Sequence, residues 1–257
     1  MKSIFGTLLI LSTVLLLPGC SGRGGSGTKG SLAEADTVSV PDTGFTGIKR
    51  YSSRNYLIKE VTFKNGVRQG EMKSFYQGGQ VYQSFWYENG LREDSSKWYY
   101  LEGQVFRTTP YKHDTIEGTQ RQYYRNGRLK AKLNYIKGFR TPFLQEFKMD
   151  GKLIGGYPQI EFTITDNYKT SGKVRINLQL ADTSSDVKFY RGEFFNGVFD
   201  TTKCTRIKTI NGKAYLDFRK TTSPQPDYVG VIATTLTNFR NKYLTYKKID
   251  LPYKDLK

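Results

Sequence analysis

Along the first half of the chain, aromatic and aliphatic positions alternate with polar ones, and turn signals at regular distances cut the alternating runs. Tyr51, Phe75, Tyr99, Tyr123 and Phe147 recur with a step of 24 (75 − 51), each four residues before Asn55, Gly79, Gly103, Gly127 or Gly151. A second series, Phe63, Tyr87, Tyr111 and Tyr135, keeps the same step of 24 (87 − 63), each member three residues before Gly66, Gly90, Asp114 or Gly138. Turn positions therefore alternate at 13 and 11 residues (79 − 66, 90 − 79). Asn65-Gly66, Gly78-Gly79, Asn89-Gly90, Asn126-Gly127 and Asp150-Gly151 accept two positive φ angles and predict two-residue hairpin tips. Between tips stand strands of about eight or nine residues, since the composition and the period of two both disfavour helix. A fixed period of this length means stacked supersecondary units. The expectation for residues 47–155 is an antiparallel β-hairpin repeat meander.

Register divides the residues between two faces. A two-residue turn at Gly78-Gly79 sets Tyr76 opposite Val81 and Phe75 opposite Tyr82. One face then collects Met72, Tyr76, Val81, Phe85 and Tyr87. It repeats as Trp98, Tyr100, Val105 and Tyr111, then as Tyr124, Leu129, Leu133 and Tyr135, and burial is expected there. The opposite face carries a basic column, Lys49, Lys73, Lys97 and Arg121, beside Tyr51, Phe75, Tyr99 and Tyr123, with Tyr82, Phe106 and Lys130 across the hairpins. Cations interleaved with rings on a flat sheet suit an anionic polymer or a sugar. The candidate ligand-binding face is therefore Lys73, Phe75, Tyr82, Lys97, Tyr99, Phe106, Arg121, Tyr123 and Lys130. On the plainer reading, lysine stems and rings cover one another on a solvated sheet.

The segments Tyr123-Tyr124-Arg125-Asn126-Gly127-Arg128-Leu129 and Phe63-Lys64-Asn65-Gly66-Val67-Arg68-Gln69-Gly70 resemble the MORN-repeat variant of bacterial envelope and antitoxin-like proteins, over about residues 47 to 155. The resemblance implies a meander with a scaffold or interaction role and brings no catalytic residues. The chain departs from that pattern where Asp94 and Pro142 replace the second glycine seen at Gly70 and Gly118, and where His113-Asp114 takes an Asn-Gly turn. Those hairpins are expected to be less regular.

Residues 1–19 have the form of a signal peptide: Lys2, an apolar stretch, then Leu17-Pro18-Gly19-Cys20. This resembles a bacterial lipobox, which implies that Cys20 becomes the lipidated amino terminus. The apolar stretch is short of the roughly 20 residues that span a bilayer. Ser21 after the cysteine implies, by resemblance to sorting rules, the outer membrane with the protein facing the periplasm; surface display is the alternative. Residues 20–46 are rich in Gly, Ser and Thr and read as a flexible tether.

After Gly155 the 24-residue step disappears. Alternating runs at 160–164, 174–180, 187–190, 194–199, 205–210, 214–218, 228–234 and 243–249 predict a β-sandwich over residues 156–257, with immunoglobulin-like topology as the default. The whole chain is thus expected to be all-β, with residues 228–233 forming a central strand buried on both faces.

Lys and Arg number 40 against 23 Asp and Glu, a net charge of +17. The excess is ten in residues 47–155 (20 − 10) and seven in 156–257 (17 − 10). In an envelope protein this points to anionic neighbours: lipid heads, lipopolysaccharide phosphates, acidic glycans or peptidoglycan carboxylates; an envelope protein is the other partner expected. Nucleic acid suits the charge and not the compartment. Cys204 is left without a partner once Cys20 is lipidated, and His113 is the only histidine, so neither a nucleophilic pair nor a metal set is expected, and no cofactor. The function expected is a membrane-anchored, non-enzymatic binding scaffold. The alternative is a lipid-tethered hydrolase of envelope polysaccharide or peptidoglycan, because two carboxylates, such as Glu93 and Glu117 near the turns, meet only in the fold.

Overall fold

The computed structural model describes residues 44–257, Pro224 and Gln225 excepted. The expected signal peptide, Cys20 and most of the expected tether lie outside the described residues. Phe45 and Thr46, assigned to that tether, already belong to the folded part: the Gly66 N–H donates to the Phe45 carbonyl (2.7 Å), and Phe45 meets Phe63 edge-on.

Among the described residues the chain is nearly all β, and every strand pairing is antiparallel. Among the described residues one sheet follows chain order through β1 (Gly47–Ser53), β2 (Tyr56–Lys64), β3 (Val67–Phe75), β4 (Val81–Glu88), β5 (Leu91–Tyr99), β6 (Val105–Lys112), β7 (Thr115–Ile116), β8 (Gly118–Tyr123), β9 (Leu129–Ile136), β10 (Phe139–Phe147) and β11 (Leu153–Ile154), with β7 and β8 both on β6.

After a first two-residue tip at Arg54-Asn55, two kinds of turn alternate along it. Asn65-Gly66, Asn89-Gly90, His113-Asp114 and Lys137-Gly138 have both φ angles positive and are two-residue tips, so His113-Asp114 is as regular as its Asn-Gly counterparts. At Gly79, Gly103, Gly127 and Gly151 the glycine alone is left-handed. There the Tyr76 N–H reaches the Gln80 carbonyl (2.8 Å) and the Gly79 N–H the Tyr76 carbonyl (2.9 Å), closing a three-residue loop. The expected two-residue turns at Gly78-Gly79, Asn126-Gly127 and Asp150-Gly151 are therefore corrected. The extra residue shifts the ladder: Phe75 faces Val81, not Tyr82. The opposite edge also carries a ladder irregularity in each unit, where pairing jumps near Gly70, Asp94 and Pro142. Asp94 adopts a φ of 55° where Gly70 has 92°, so the substitution keeps the bulge instead of abolishing it.

Neighbouring units are stitched at both ends. Tyr76, Tyr100 and Tyr124 hydroxyls donate to the carbonyls of Tyr99, Tyr123 and Phe147, each 23 residues on (3.0, 2.8 and 2.7 Å). At the other edge, Gln69, Glu93 and Glu117 side chains accept from the backbone N–H groups of Asn89, His113 and Lys137 (2.9, 2.8 and 2.6 Å). A net intramolecular hydrogen bond contributes about 1 kcal/mol. Tyr100→Phe is accordingly expected to lower stability by about 1 kcal/mol in urea unfolding.

The Arg92 N–H and Nε both donate to Asp114 Oδ1 (2.9 and 2.8 Å). Partial burial opposes the charged form, but these Arg92 bonds outweigh it and hold Asp114 below the usual carboxylate range. A depressed carboxylate pKa contributes stability that is present above the unfolded value, about 3.9, and lost as pH falls through the folded one. Asp114→Asn is therefore expected to reduce stability near neutrality and to flatten its acid dependence below about pH 4, read from denaturant midpoints across that range.

The face expected to be buried is buried only in part. Val61, Met72 and Tyr87 cluster with Phe63 and Phe85. Farther along, Leu133 is buried as expected, but its neighbours are polar: Ser96 Oγ donates to the Thr109 carbonyl and Gln120 Nε2 to Thr109 Oγ1, both at 3.0 Å. Arginines shield the aromatic column, with Arg68 over Tyr87 (4.6 Å), Arg92 over Tyr111 (4.6 Å), Arg107 over Trp98 (4.0 Å) and Arg140 over Tyr135 (5.3 Å).

The second half forms two four-stranded sheets from β12 (Ile160–Asn167), β13 (Lys173–Leu180), β14 (Val187–Arg191), β15 (Thr205–Ile207), β16 (Thr209–Ile210), β17 (Lys213–Arg219), β18 (Tyr228–Leu236) and β19 (Lys242–Asp250). Their orders are β12-β13-β17-β16 and β15-β14-β18-β19. Ile176, Leu178 and Phe218 from the first sheet share a core with Phe189, Val231 and Ile249 from the second. In β18, Val231 joins this core while Ile232 packs outward with Phe199 and Leu244, so the strand is buried on both faces as expected. Two strand expectations are corrected. Residues 194–199 form a turn closed by a single Phe195–Val198 bridge, and residues 205–210 split at Lys208, with β15 and β16 in different sheets.

The repeat sheet and the two smaller sheets form one compact unit. At their junction Glu146, 2 % exposed, accepts from Tyr157 Oη (3.0 Å), Thr237 Oγ1 (2.7 Å) and Asn241 Nδ2 (2.7 Å). Gln122 Nε2 donates to Asn241 Oδ1 (2.7 Å), Arg140 Nη2 donates to the Lys242 carbonyl (3.1 Å), and Tyr124 meets Phe239 edge-on. Among the described residues no helix is long and apolar enough to cross a membrane.

Candidate ligand-binding face

Strand pairing converts the 24-residue step into a continuous row across the sheet. From β1 to β10, successive cross-strand partners are Arg50, Glu60, Lys73, Ser84, Lys97, Thr108, Arg121, Lys132 and Gln145. Directly opposed residues share a face. Neighbouring strands lie about 4.8 Å apart, so Lys73, Lys97 and Arg121 follow at intervals of about 10 Å, with Lys132 one strand beyond. Charges at that spacing repel by only about 0.4 kcal/mol in water, which the fold tolerates and a bound polyanion would relieve.

The three cations differ in freedom. Lys73 Nζ lies 2.9 Å from Glu71 Oε2, and that hydrogen bond, outweighing burial, raises its pKa. Arg121 Nη1 touches the Thr119 carbonyl at 3.4 Å. Lys97 is exposed and has no ion pair among the described residues. Beneath the row, Ser84 is buried, its Oγ 3.4 Å from the Tyr99 hydroxyl, which fixes Tyr99 on the same face.

The structure brings together six of the nine residues expected here: Lys73, Lys97 and Arg121 in the row, with Phe75, Tyr99 and Tyr123 flanking it opposite Val81, Val105 and Leu129. The other three are misplaced by the register shift. Tyr82 packs on Tyr76 (5.1 Å), Phe106 on Tyr100 (5.4 Å), and Lys130 lies over Tyr124 (5.7 Å), so these belong with the opposite aromatic set. Sequence reasoning missed Lys132, whose signal was its place 24 residues after Thr108 and 48 after Ser84 (132 − 84). Lys132 lies over Phe147 at 5.9 Å.

Other reactive groups have structural occupations. Glu93 and Glu117 cap turn amides, and His113 Nε2 lies 3.6 Å from Glu93. Cys204 packs with Phe199, Ile232 and Leu244, and this burial pushes its thiol pKa up, away from nucleophilic thiolate. Among the described residues no group of three His, Cys, Asp or Glu side chains is placed to hold a metal ion. No protein-family model matches the chain, and no curated protein matches it.

Proposed function

We propose that this chain is a bacterial envelope lipoprotein that binds without catalysing: MORN-variant hairpins present a basic row to an acidic envelope polymer, and Cys20 anchors the chain to the outer membrane facing the periplasm. The observation that carries the reading is the row Lys73, Lys97, Arg121 and Lys132, aligned by strand pairing and flanked by Phe75, Tyr99 and Tyr123. Acidic glycan is the partner that suits both the cations and the rings, by ion pairing and stacking; an acidic envelope protein would use the cations alone. The non-enzymatic part is supported by the engagement of Glu93 and Glu117, the two carboxylates weighed for hydrolysis, in backbone capping. The order β12-β13-β17-β16 against β15-β14-β18-β19 supports an immunoglobulin-like sandwich for the second half. Replacing Lys73, Lys97 and Arg121 together with Ser is expected to reduce retention on isolated envelope fractions at least about tenfold, without change in melting temperature. Retention equal to that of the unaltered chain would dispose of the proposal.

A further inference from the structure

The outer face of the β12-β13-β17-β16 sheet holds a groove of about 750 Å³, within the size range of small-ligand sites, separate from the repeat-sheet row. Strand pairing builds its floor: Glu161 opposes Gln179, while Thr163, Asn177 and Tyr215 form a continuous row. Tyr215 is 51 % exposed. Arg175, clamped to Asp217 by two hydrogen bonds of 2.6 and 2.8 Å, lies over one face of its ring at 4.2 Å. Tyr215 itself lines the groove.

The polar groups around that ring are incompletely used. Asn177 Nδ2 is spent on Thr163 and Thr165 (3.4 and 3.2 Å), which leaves Oδ1 as an acceptor; Gln179 gives one N–H to Glu161 (3.4 Å) and keeps its oxygen and second N–H. Lys208 and Lys213 line the groove without ion pairs among the described residues, against the single carboxylate Glu161, while Lys247 reaches its rim from β19 of the other sheet, over Phe162 at 5.9 Å. A ring for stacking, amide groups for vicinal hydroxyls and an excess of cations are the requirements of an acidic sugar.

The geometry points to this groove as a binding site for a short carboxylate-bearing oligosaccharide. Tyr215 stacks on the apolar face of one sugar ring, Asn177 and Gln179 pair with its hydroxyls, and Lys208 and Lys213 hold the carboxylate. The site stands apart from the basic row of the repeats, and the two are separable by mutation.

Isothermal calorimetry on the full chain in non-ionic detergent tests this, with tetragalacturonic acid as probe and neutral cellotetraose as control. The acidic probe is expected to bind more tightly than the neutral one. Tyr215→Ala should weaken it about tenfold and Tyr215→Phe should restore it, while Lys208→Gln with Lys213→Gln should bring the acidic probe to the neutral level. These comparisons are made in the Lys73, Lys97 and Arg121 triple Ser background, so that the repeat row does not contribute to binding of the acidic probe. In that background, no binding of the acidic probe at millimolar concentration, or equal binding when Tyr215→Ala is added, would each overturn the assignment.

Discussion

Glu146→Ala is expected to lower stability by about 3–5 kcal/mol in urea unfolding, among the largest single effects in the molecule. The carboxylate is 2 % exposed and accepts from Tyr157, Thr237 and Asn241. Truncation leaves three donors at the junction without their acceptor, and each unsatisfied buried donor costs about 1–3 kcal/mol. Glu146→Gln keeps one acceptor oxygen and is expected to cost less than half as much. Burial first, and then the hydrogen bond to Glu146, push the Tyr157 pKa well above its ordinary value. A raised tyrosine pKa contributes stability that is present below the unfolded value, about 10, and lost as pH rises through the folded one. Part of the junction's stability should therefore disappear in alkali, and Tyr157→Phe should remove that part of the pH dependence. An alanine variant as stable as the parent chain would mean that the junction does not hold the two halves together.

Gly212→Ala is expected to be far more damaging than Gly79→Ala, although both glycines are left-handed turn residues with φ of 76° and 86°. A Cβ at Gly79 meets nothing within 4 Å, so its penalty is the left-handed conformation alone, about 1–2 kcal/mol. At Gly212 the added carbon would overlap the Ser184 carbonyl oxygen and lie 3.0 Å from Ser185 Cα, both backbone atoms that cannot rotate away. Overpacking adds about 1–3 kcal/mol to the conformational term, and here the hairpin joining β16 and β17 must move as well. Thermal unfolding of the two variants side by side measures the contrast; equal losses would show that the 182–185 loop gives way freely.

Architecture was legible because two independent sequence signals agreed. The step of 24 marks stacked units, and the period of two marks strands. What stayed hidden was one residue per turn: Gly78-Gly79 and Asn65-Gly66 look alike, yet the first closes a three-residue loop, and that residue carried Tyr82, Phe106 and Lys130 to the other side. The stitches were visible in principle, since Gln69, Glu93 and Glu117 keep the same step as Tyr76, Tyr100 and Tyr124. Glu93 and Glu117 read instead as candidate hydrolase carboxylates, because a capping role shows only once the next hairpin is stacked in place. The groove was illegible for a different reason. Thr163, Asn177 and Tyr215 are far apart in sequence, have no shared period, and become neighbours only when β13 pairs with β12 and β17. Likewise residues 194–199 have a strand's composition and form a turn, because Asn196-Gly197 closes it in the middle.

The most direct measurement of the account is retention of the full chain on isolated envelope fractions across a salt series, with the Lys73, Lys97 and Arg121 triple Ser variant alongside. Attraction between exposed charges is screened as the Debye length shrinks from about 10 Å at 0.1 M to about 3 Å at 1 M. The account predicts that the parent chain is released steadily as salt rises and that the variant is weakly held throughout. Parent and variant released together, or retention indifferent to salt in both, would contradict it.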